Sequence, residues 1–291
     1  MTTHAFEMAW DGHRLVLGRR TLVMGIVNIT PDSFSDGGRF FGTRAAVDHG
    51  LALAAAGADI IDVGGESTRP FSDPVSAEEE VRRVVPVIEQ LAAKLSIPIS
   101  IDTTKSEVAR QALAAGAAII NDVSALRLDP AMGPLAASQG VPVILMHMLG
   151  SPKTMQVKPE YRDVVAEVRA FLAEAIARAE AQGIDRTRIV VDPGIGFGKT
   201  FAHNLLLLQQ LAAFQELNVP LLVGASRKAF IRHLLKPADA KDIPADLPEV
   251  ETGSLAAASV AVMNGVHILR VHDVAGTCAA LTVIDAIRQA A

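Results

Sequence analysis

Nearly every apolar, Val- and Ile-rich stretch of this chain runs out on a side chain that can bind or ionise: Asn28, Asp62, Asp102, Asn121 with Asp122, His147, Asp192, Ser226, and Arg270 with His272. Carboxylates, amides, imidazoles and a guanidinium are the groups that read a polar heterocycle or hold a polyanion. Arg270 and His272 stand two apart, so on a strand they share one face. Roughly 7 Å separates their backbones, a spacing that suits two oxygens of one phosphate or diphosphate. Arg69 in GGESTRP and Lys228 in GASRKAF add charge from neighbouring segments. Asp192 opens DPGIGFGKT, which is neither nucleotide loop it brings to mind. A Walker A loop has Pro193 where glycine is needed, and a GxGxxG reading from Gly194 meets Lys199 at its third glycine. What remains is a carboxylate at a strand end before a mobile, glycine-rich turn, able to accept two parallel hydrogen bonds from an amino-pyrimidinone edge. With Asp102 and Asn121 it makes a plausible heterocycle reader. The chain has no His-Glu-x-x-His pair and no serine-centred elbow, and its one cysteine is Cys278, which argues against zinc hydrolysis and acyl-enzyme chemistry.

The stretches that carry these residues recur eight times, as TLVMGIVNIT, DIIDVGG, IPISIDT, AIINDVS, VPVILMHM, RIVVDPG, VPLLVGAS and HILRVHDV. Helix-length segments lie between them. Val81, Val84, Val85, Ile88, Leu91 and Leu95 follow a three-to-four residue period, as do Val164, Val165, Val168, Leu172, Ile176 and Ala179. Ser76 and Glu79 read as a capping box for the first of these helices, and Pro86 inside it predicts a kink. Near-continuous apolar strands alternating with helices require a parallel sheet covered by helices. Eight units in about 250 residues predict a closed (β/α)8 barrel, with an open doubly wound sheet as the structural alternative. In a barrel all strand carboxyl ends open on one rim, so the polar residues converge there. The alternation around Asp11-Gly12 predicts a small N-terminal hairpin in residues 1–20, ahead of a single barrel domain at 21–291. Two connections, PDSFSDGGRFFGT and GESTRPFSDPVS, exceed what a plain barrel needs and read as lids over the rim.

Composition narrows the partners. Lys plus Arg total 27 against 32 Asp plus Glu, a net charge of −5, and no basic stripe forms, so a nucleic-acid partner is not expected. The opening MTTHAFEMAWDGHR lacks a basic segment followed by an apolar core, and with a lone cysteine this reads as a cytoplasmic protein. The uncharged stretch from Gly253 to Leu269 is better split at Asn264-Gly265 into a helix and a strand than read as a membrane span.

Taken together, GIVNITPDSFSDGG, DVGGESTRP, SIDTTK, INDVSAL, MHMLGSPKTMQ, VDPGIGFGK, SRKAFI and GSLAAASVAVMNGVHILRVHDV resemble the blocks of the dihydropteroate synthase family, in its order, from Met24 to Val274. The resemblance implies a pterin-binding barrel, usually homodimeric. It also implies a reaction in which para-aminobenzoate displaces diphosphate from the methylene of a 7,8-dihydropterin diphosphate. Carried over by motif position, Asp102, Asn121, Asp192 and Lys228 would hold the pterin, with Met146 and Phe197 against its ring. Asn28 would bind Mg2+ by its amide oxygen; Thr68, Arg69, Arg270 and His272 would take the diphosphate. Phe34, Pro70, Phe197, Lys228 and Ala229 would meet the aminobenzoate, and Asp36 would close over the site from the first lid. Asp36, Asp102, Lys228 and Arg270 are the residues implied in the chemistry, and sulfonamides are implied as competitors of aminobenzoate. Two positions depart from the family's usual pattern: Phe71 replaces a glycine after STRP, and Ala229 replaces a serine after SRK. Methyltransferases of the same barrel family are the enzymatic alternative, and a non-catalytic pterin-binding paralogue is the other. The STRP segment and the RVHD clamp favour the synthase, because methyl transfer releases no diphosphate.

Overall fold

A computed structural model of the protein describes residues 4–29, 38–67, 74–150, 155 and 158–290, with the side chains of 38–41 left out. Strands β1 (Phe6–Trp10) and β2 (His13–Leu17) form the antiparallel N-terminal hairpin. Its turn is Asp11-Gly12, where both residues have positive φ, as a tight two-residue turn requires. The remaining strands are β3 (Leu22–Asn28), β4 (Ile60–Gly64), β5 (Ile99–Asp102), β6 (Ile119–Asp122), β7 (Val143–Met146), β8 (Ile189–Asp192), β9 (Leu222–Val223) and β10 (Ile268–Val271). They pair in parallel in the order β8-β7-β6-β5-β4-β3-β10-β9. Val191 and Leu221 then bridge the two ends of that order, with the Val191 N–H donating to the Pro220 carbonyl at 3.0 Å. The sheet therefore curls into a (β/α)8 barrel, and the open doubly wound arrangement is set aside.

Helices α1 (Gly38–Ala55), α2 (Ala77–Ala92), α3 (Ser106–Ala114), α4 (Met132–Gln139), α5 (Val164–Ala181), α6 (Phe201–Gln209), α7 (Ala229–Leu235), α8 (Pro248–Met263) and α9 (Val274–Gln289) occupy the connections. Helix α5 starts where Asp163 accepts from the N–H groups of Val165 and Ala166, and it buries Val164, Val165, Val168, Leu172, Ala175, Ile176 and Ala179. Ser76 caps α2 by accepting from the Glu79 N–H, and the Glu79 carboxylate pairs with Arg82 and Arg83. That helix runs on through Pro86 to Ala92, and it buries Val87 where the periodicity had suggested Val85. Helix α8 ends at Asn264-Gly265, where Gly265 takes φ +94°, and β10 follows. Among the described residues no helix is long and apolar enough to cross a membrane.

The hairpin lies at the amino ends of the strands. Trp10, Met8, Leu15 and Leu17 are buried, and the Trp10 indole N–H donates to the carbonyl of Ala118, just before β6, at 2.8 Å. Phe6 meets the ring of His267, just before β10, edge-on at 5.2 Å. The plug is thus on the opposite end from the strand carboxyl termini. That leaves those termini, where barrel sites are built, free for chemistry.

Candidate active site

The strand register sets the site's first row. Asn28 pairs with Gly64, Gly64 with Asp102, and Asp102 with Asn121, so one residue from each of β3, β4, β5 and β6 stands side by side at the rim. In parallel strands residues in register point the same way. Gly64 is the gap in the row: a side chain there would come to 3.7 Å from the Asn28 amide oxygen and 3.5 Å from the Asp102 Cβ. Asn28 is exposed, whereas Asn121 is buried.

Arg270, on the neighbouring strand β10, reaches this row past β3. Its Nε donates to Asp62 Oδ2 at 2.6 Å and its Nη2 to Asp102 Oδ2 at 2.8 Å. Asp62 is fully buried and also accepts from Asn121 Nδ2 at 3.2 Å. A guanidinium carries five N–H groups, so two bonds to carboxylates leave donors for a ligand anion. The clamp imagined from spacing alone is therefore half engaged by the protein itself. Its imidazole member, His272, bonds through Nδ1 with the Ser226 hydroxyl at 3.0 Å. Asp62 had been noted as a strand-end residue with no role. Its signal was a carboxylate within the otherwise apolar IIDVG, a place where a charge persists only with a partner.

The other side of the mouth is apolar. Val123, Met146, Met148, Met155 and Phe197 form a cluster of their own, apart from the main core, at the ends of β6, β7 and β8. Met146 sits in register with Asp192. Lys228, at the start of α7, places its ammonium 4.1 Å from the centre of the Phe197 ring, a cation–π contact. Ala229 follows it and is exposed. The turn after Asp192, expected to be mobile, is instead packed and tied. Gly194 N–H donates to Asp192 Oδ1 at 2.7 Å, and Gly196 N–H donates to Asn204 Oδ1 at 2.7 Å. Gly194, Gly196 and Gly198 all have positive φ, and a Cβ on Gly194 would fall 1.9 Å from the His147 carbonyl oxygen. The glycines here serve close packing rather than motion.

Phe34, Asp36, Thr68, Arg69, Pro70 and Phe71 lie outside the described residues. The described flanks of the second long connection are anchored. Glu66 accepts from the Val75 N–H at 2.9 Å and from Lys105 at 2.7 Å, and Lys105 also pairs with the fully buried Glu80.

This geometry has counterparts of known kind. A family model described as pterin binding enzyme matches residues 24–272. The dihydropteroate synthase of Escherichia coli strain K12 is 50% identical over 264 residues, 91% of this chain and 90% of that one. The chain belongs to the pterin binding enzyme family. Among solved structures, the dihydropteroate synthase of Xanthomonas albilineans with 4-aminobenzoic acid is 49% identical and superposes with a TM-score of 0.88, covering 98% of this chain and 99% of that one. The same organism's enzyme in complex with 7,8-dihydropteroate is 49% identical at a TM-score of 0.82, covering 94% and 96%.

In this pterin-binding barrel the two carboxylates closest to the pocket are held up in proton affinity. Burial pushes Asp102 up to about 7 against the pull of Arg270, and pushes Asp192 up to about 6 against the Gly194 N–H and Lys228. The consequence for stability has a definite sign. The unfolded chain loses the Asp192 proton near pH 4, the folded chain only near pH 6, so rising pH across that window favours unfolding. Asp192→Asn removes this dependence. The variant's stability relative to the parent should therefore rise by up to roughly 3 kcal/mol between pH 4 and pH 7 in urea unfolding. A constant difference across that range would show that the carboxyl is not held up.

Proposed function

We propose that the chain is a dihydropteroate synthase, joining a 7,8-dihydropterin methyl diphosphate to para-aminobenzoate with release of diphosphate. The observation that carries this is the two-sided mouth: Asp102, Asn121 and Asp192 beside the Met146–Phe197 cluster on one part of the rim, and Arg270, His272 and Asn28 on the other. The first part suits a flat heterocycle with a donor-rich edge. Asp192 has one oxygen on the Gly194 N–H and another to offer, and Met146 and Phe197 supply apolar contact. The second part suits a diphosphate tail. Lys228, poised on Phe197, would stand between the pterin and the amine, and the exposed Ala229 would meet the amine's end. Phe34, Asp36, Thr68, Arg69 and Pro70 belong to the same reading, as lid and anion contacts.

No nucleophilic side chain is needed. The electron-rich dihydropterin can carry positive charge at its methylene as the C–O bond breaks and diphosphate leaves with the electron pair. The aromatic amine then attacks that carbon and loses a proton. Arg270 stabilises the departing charge, and Asp62 and Asp102 keep its guanidinium aimed. A dependence of the rate on amine nucleophilicity would contradict departure before attack.

The donor set suits Mg2+. Asn28 offers one exposed amide oxygen, and among the described residues no group of three or more His, Cys, Asp or Glu could hold a metal by itself. Such a site fits a cation that takes one or two protein oxygens and completes its shell with phosphate and water. When bound, Mg2+ would neutralise charge on the leaving diphosphate.

The proposal extends to a cytoplasmic homodimer in which residues 1–20 extend a single barrel domain at 21–291. Phe201, Leu205 and Leu206 on α6, Leu234 and Leu235 on α7, and Val260 and Met263 on α8 are exposed on three adjacent helices. An apolar surface of that kind supports a second copy as its cover. Light scattering should give twice the chain mass; the mass of one chain would end that part.

Purified protein given pterin diphosphate, aminobenzoate and Mg2+ should form dihydropteroate with an equal amount of diphosphate. Diphosphate release with no dihydropteroate formed in the presence of the amine, or no release at all, would refute the synthase. Asp192→Ala should abolish binding of free pterin in calorimetry, whereas Arg270→Ala should spare it and weaken diphosphate-bearing ligands by about a hundredfold. Equal losses for both ligands would discredit the two-sided assignment. Ala229→Ser should lower the aminobenzoate KM by a few-fold, about the worth of one exposed hydrogen bond. No change would mean that a hydroxyl there is dispensable.

A further inference from the structure

Lys199 has no part in the reading above, yet it is 2% exposed, directly beneath the glycine-rich turn. Its ammonium donates to the Phe197 carbonyl at 3.0 Å and lies 2.9 Å from His147 Nδ1. Burial and the nearby Lys199 and Arg127 charges push His147 down to about 2, so its ring is neutral and Nδ1 is the acceptor. The ring itself is wedged edge-on against Phe171 at 4.7 Å. His147 also binds the end of β8 through its backbone, its N–H donating to the Asp192 carbonyl at 2.9 Å. Tyr161 completes the arrangement by donating to the Gly198 carbonyl at 2.8 Å.

Enclosing an ammonium is costly, and burial pushes the Lys199 ammonium down to about 7; an apolar side chain would fill the same space without that cost. Here the charge sits where it fixes one particular carbonyl. That carbonyl belongs to Phe197, whose ring is part of the apolar cluster at the ends of β6, β7 and β8 and lies under the Lys228 ammonium. A Cβ on Gly196 would touch the Lys228 stem at 3.0 Å, so the turn and Lys228 are in close contact along their length.

We propose that Lys199 is a positioning residue for the pocket: through the Phe197 carbonyl and the His147 ring it holds the turn at 193–198 on the end of β8, and so sets the Phe197 ring and Lys228. The inference rests on the reading of Phe197 and Lys228 as substrate contacts. Its packing reaches the substrates through those two residues, and its charge also acts on Asp192. The Arg270, Asp62 and Asp102 cluster is built on other strands and does not depend on it.

Lys199→Met keeps an unbranched side chain one atom shorter and removes its charge and donors. In the full-length variant, hydrogen exchange of the 193–198 segment should speed up by about tenfold, the effect of losing one buried tie. This readout is independent of turnover, so a failure here is distinct from a failure of the synthase reading. In steady-state kinetics the aminobenzoate KM should rise by about tenfold while kcat changes less than about threefold, the pattern of lost binding rather than lost transition-state contacts. In a Phe197→Leu background the same substitution should raise KM by less than about twofold, because the carbonyl no longer sets a ring. A general loosening of the fold would instead multiply the losses in both backgrounds. Should Lys199→Met fail to fold, His147→Phe, which keeps an aromatic ring and removes the acceptor, should give the same exchange and KM pattern. Unchanged exchange, an unchanged KM, or multiplying losses would each overturn the proposal.

Discussion

A guanidinium held by two carboxylates from nearby strands is the constraint on which the mouth depends. Arg270 comes from β10, Asp62 from β4 and Asp102 from β5, so the three residues link strands on either side of β3. Removing such charges from water is expensive, and a buried ion pair is weak evidence of stability by itself. Its value lies in orientation. With two N–H directions committed to fixed carboxylates, the remaining donors have little freedom, and a positive charge fixed before reaction avoids reorganisation while the leaving group departs. Asn121, bonding to the same Asp62, brings β6 into the arrangement.

That cluster explains why the barrel's polar residues cannot be read one at a time. Asp102 is at once a carboxylate facing the pocket and a support for Arg270, and burial holds it up to about 7 even with the guanidinium beside it. Charge on the ligand and charge on the protein are therefore coupled. Drawing Arg270 toward an anion weakens its hold on Asp102, which raises the proton affinity of that carboxyl and changes what it can offer a heterocycle.

The fold and the rim could be read from periodicity because both obey simple geometry. Apolar runs of strand length, each closed by Asn28, Asp102, Asn121, Asp192 or Arg270, have one compact parallel solution, and its carboxyl ends share a face. Depth was harder to see. Asp62 is two residues inside the rim, and nothing in IIDVG distinguishes a carboxylate that binds a ligand from one that aims a guanidinium. The turn at 193–198 misled for a different reason. Three glycines in five residues suggest freedom, but freedom in the unfolded chain is compatible with tight packing in the folded one, and here each glycine lets another backbone or side chain approach.

Lys199 breaks a nucleotide-binding pattern, and its position after the last glycine gives it a different use. A lysine one residue after the last glycine cannot lie over a phosphate bound in the turn when its chain runs beneath the turn into the core. There it meets a neutral imidazole and a carbonyl oxygen, acceptors that stabilise an ammonium without neutralising it. When protonated, Lys199 pulls the Asp192 carboxyl toward ionisation, as Lys228 does. The heterocycle-facing carboxylate is thus flanked by two lysines, one at the pocket and one enclosed. Burial pushes the enclosed ammonium down to about 7 and the Asp192 carboxyl up to about 6, and each favours the charged form of the other.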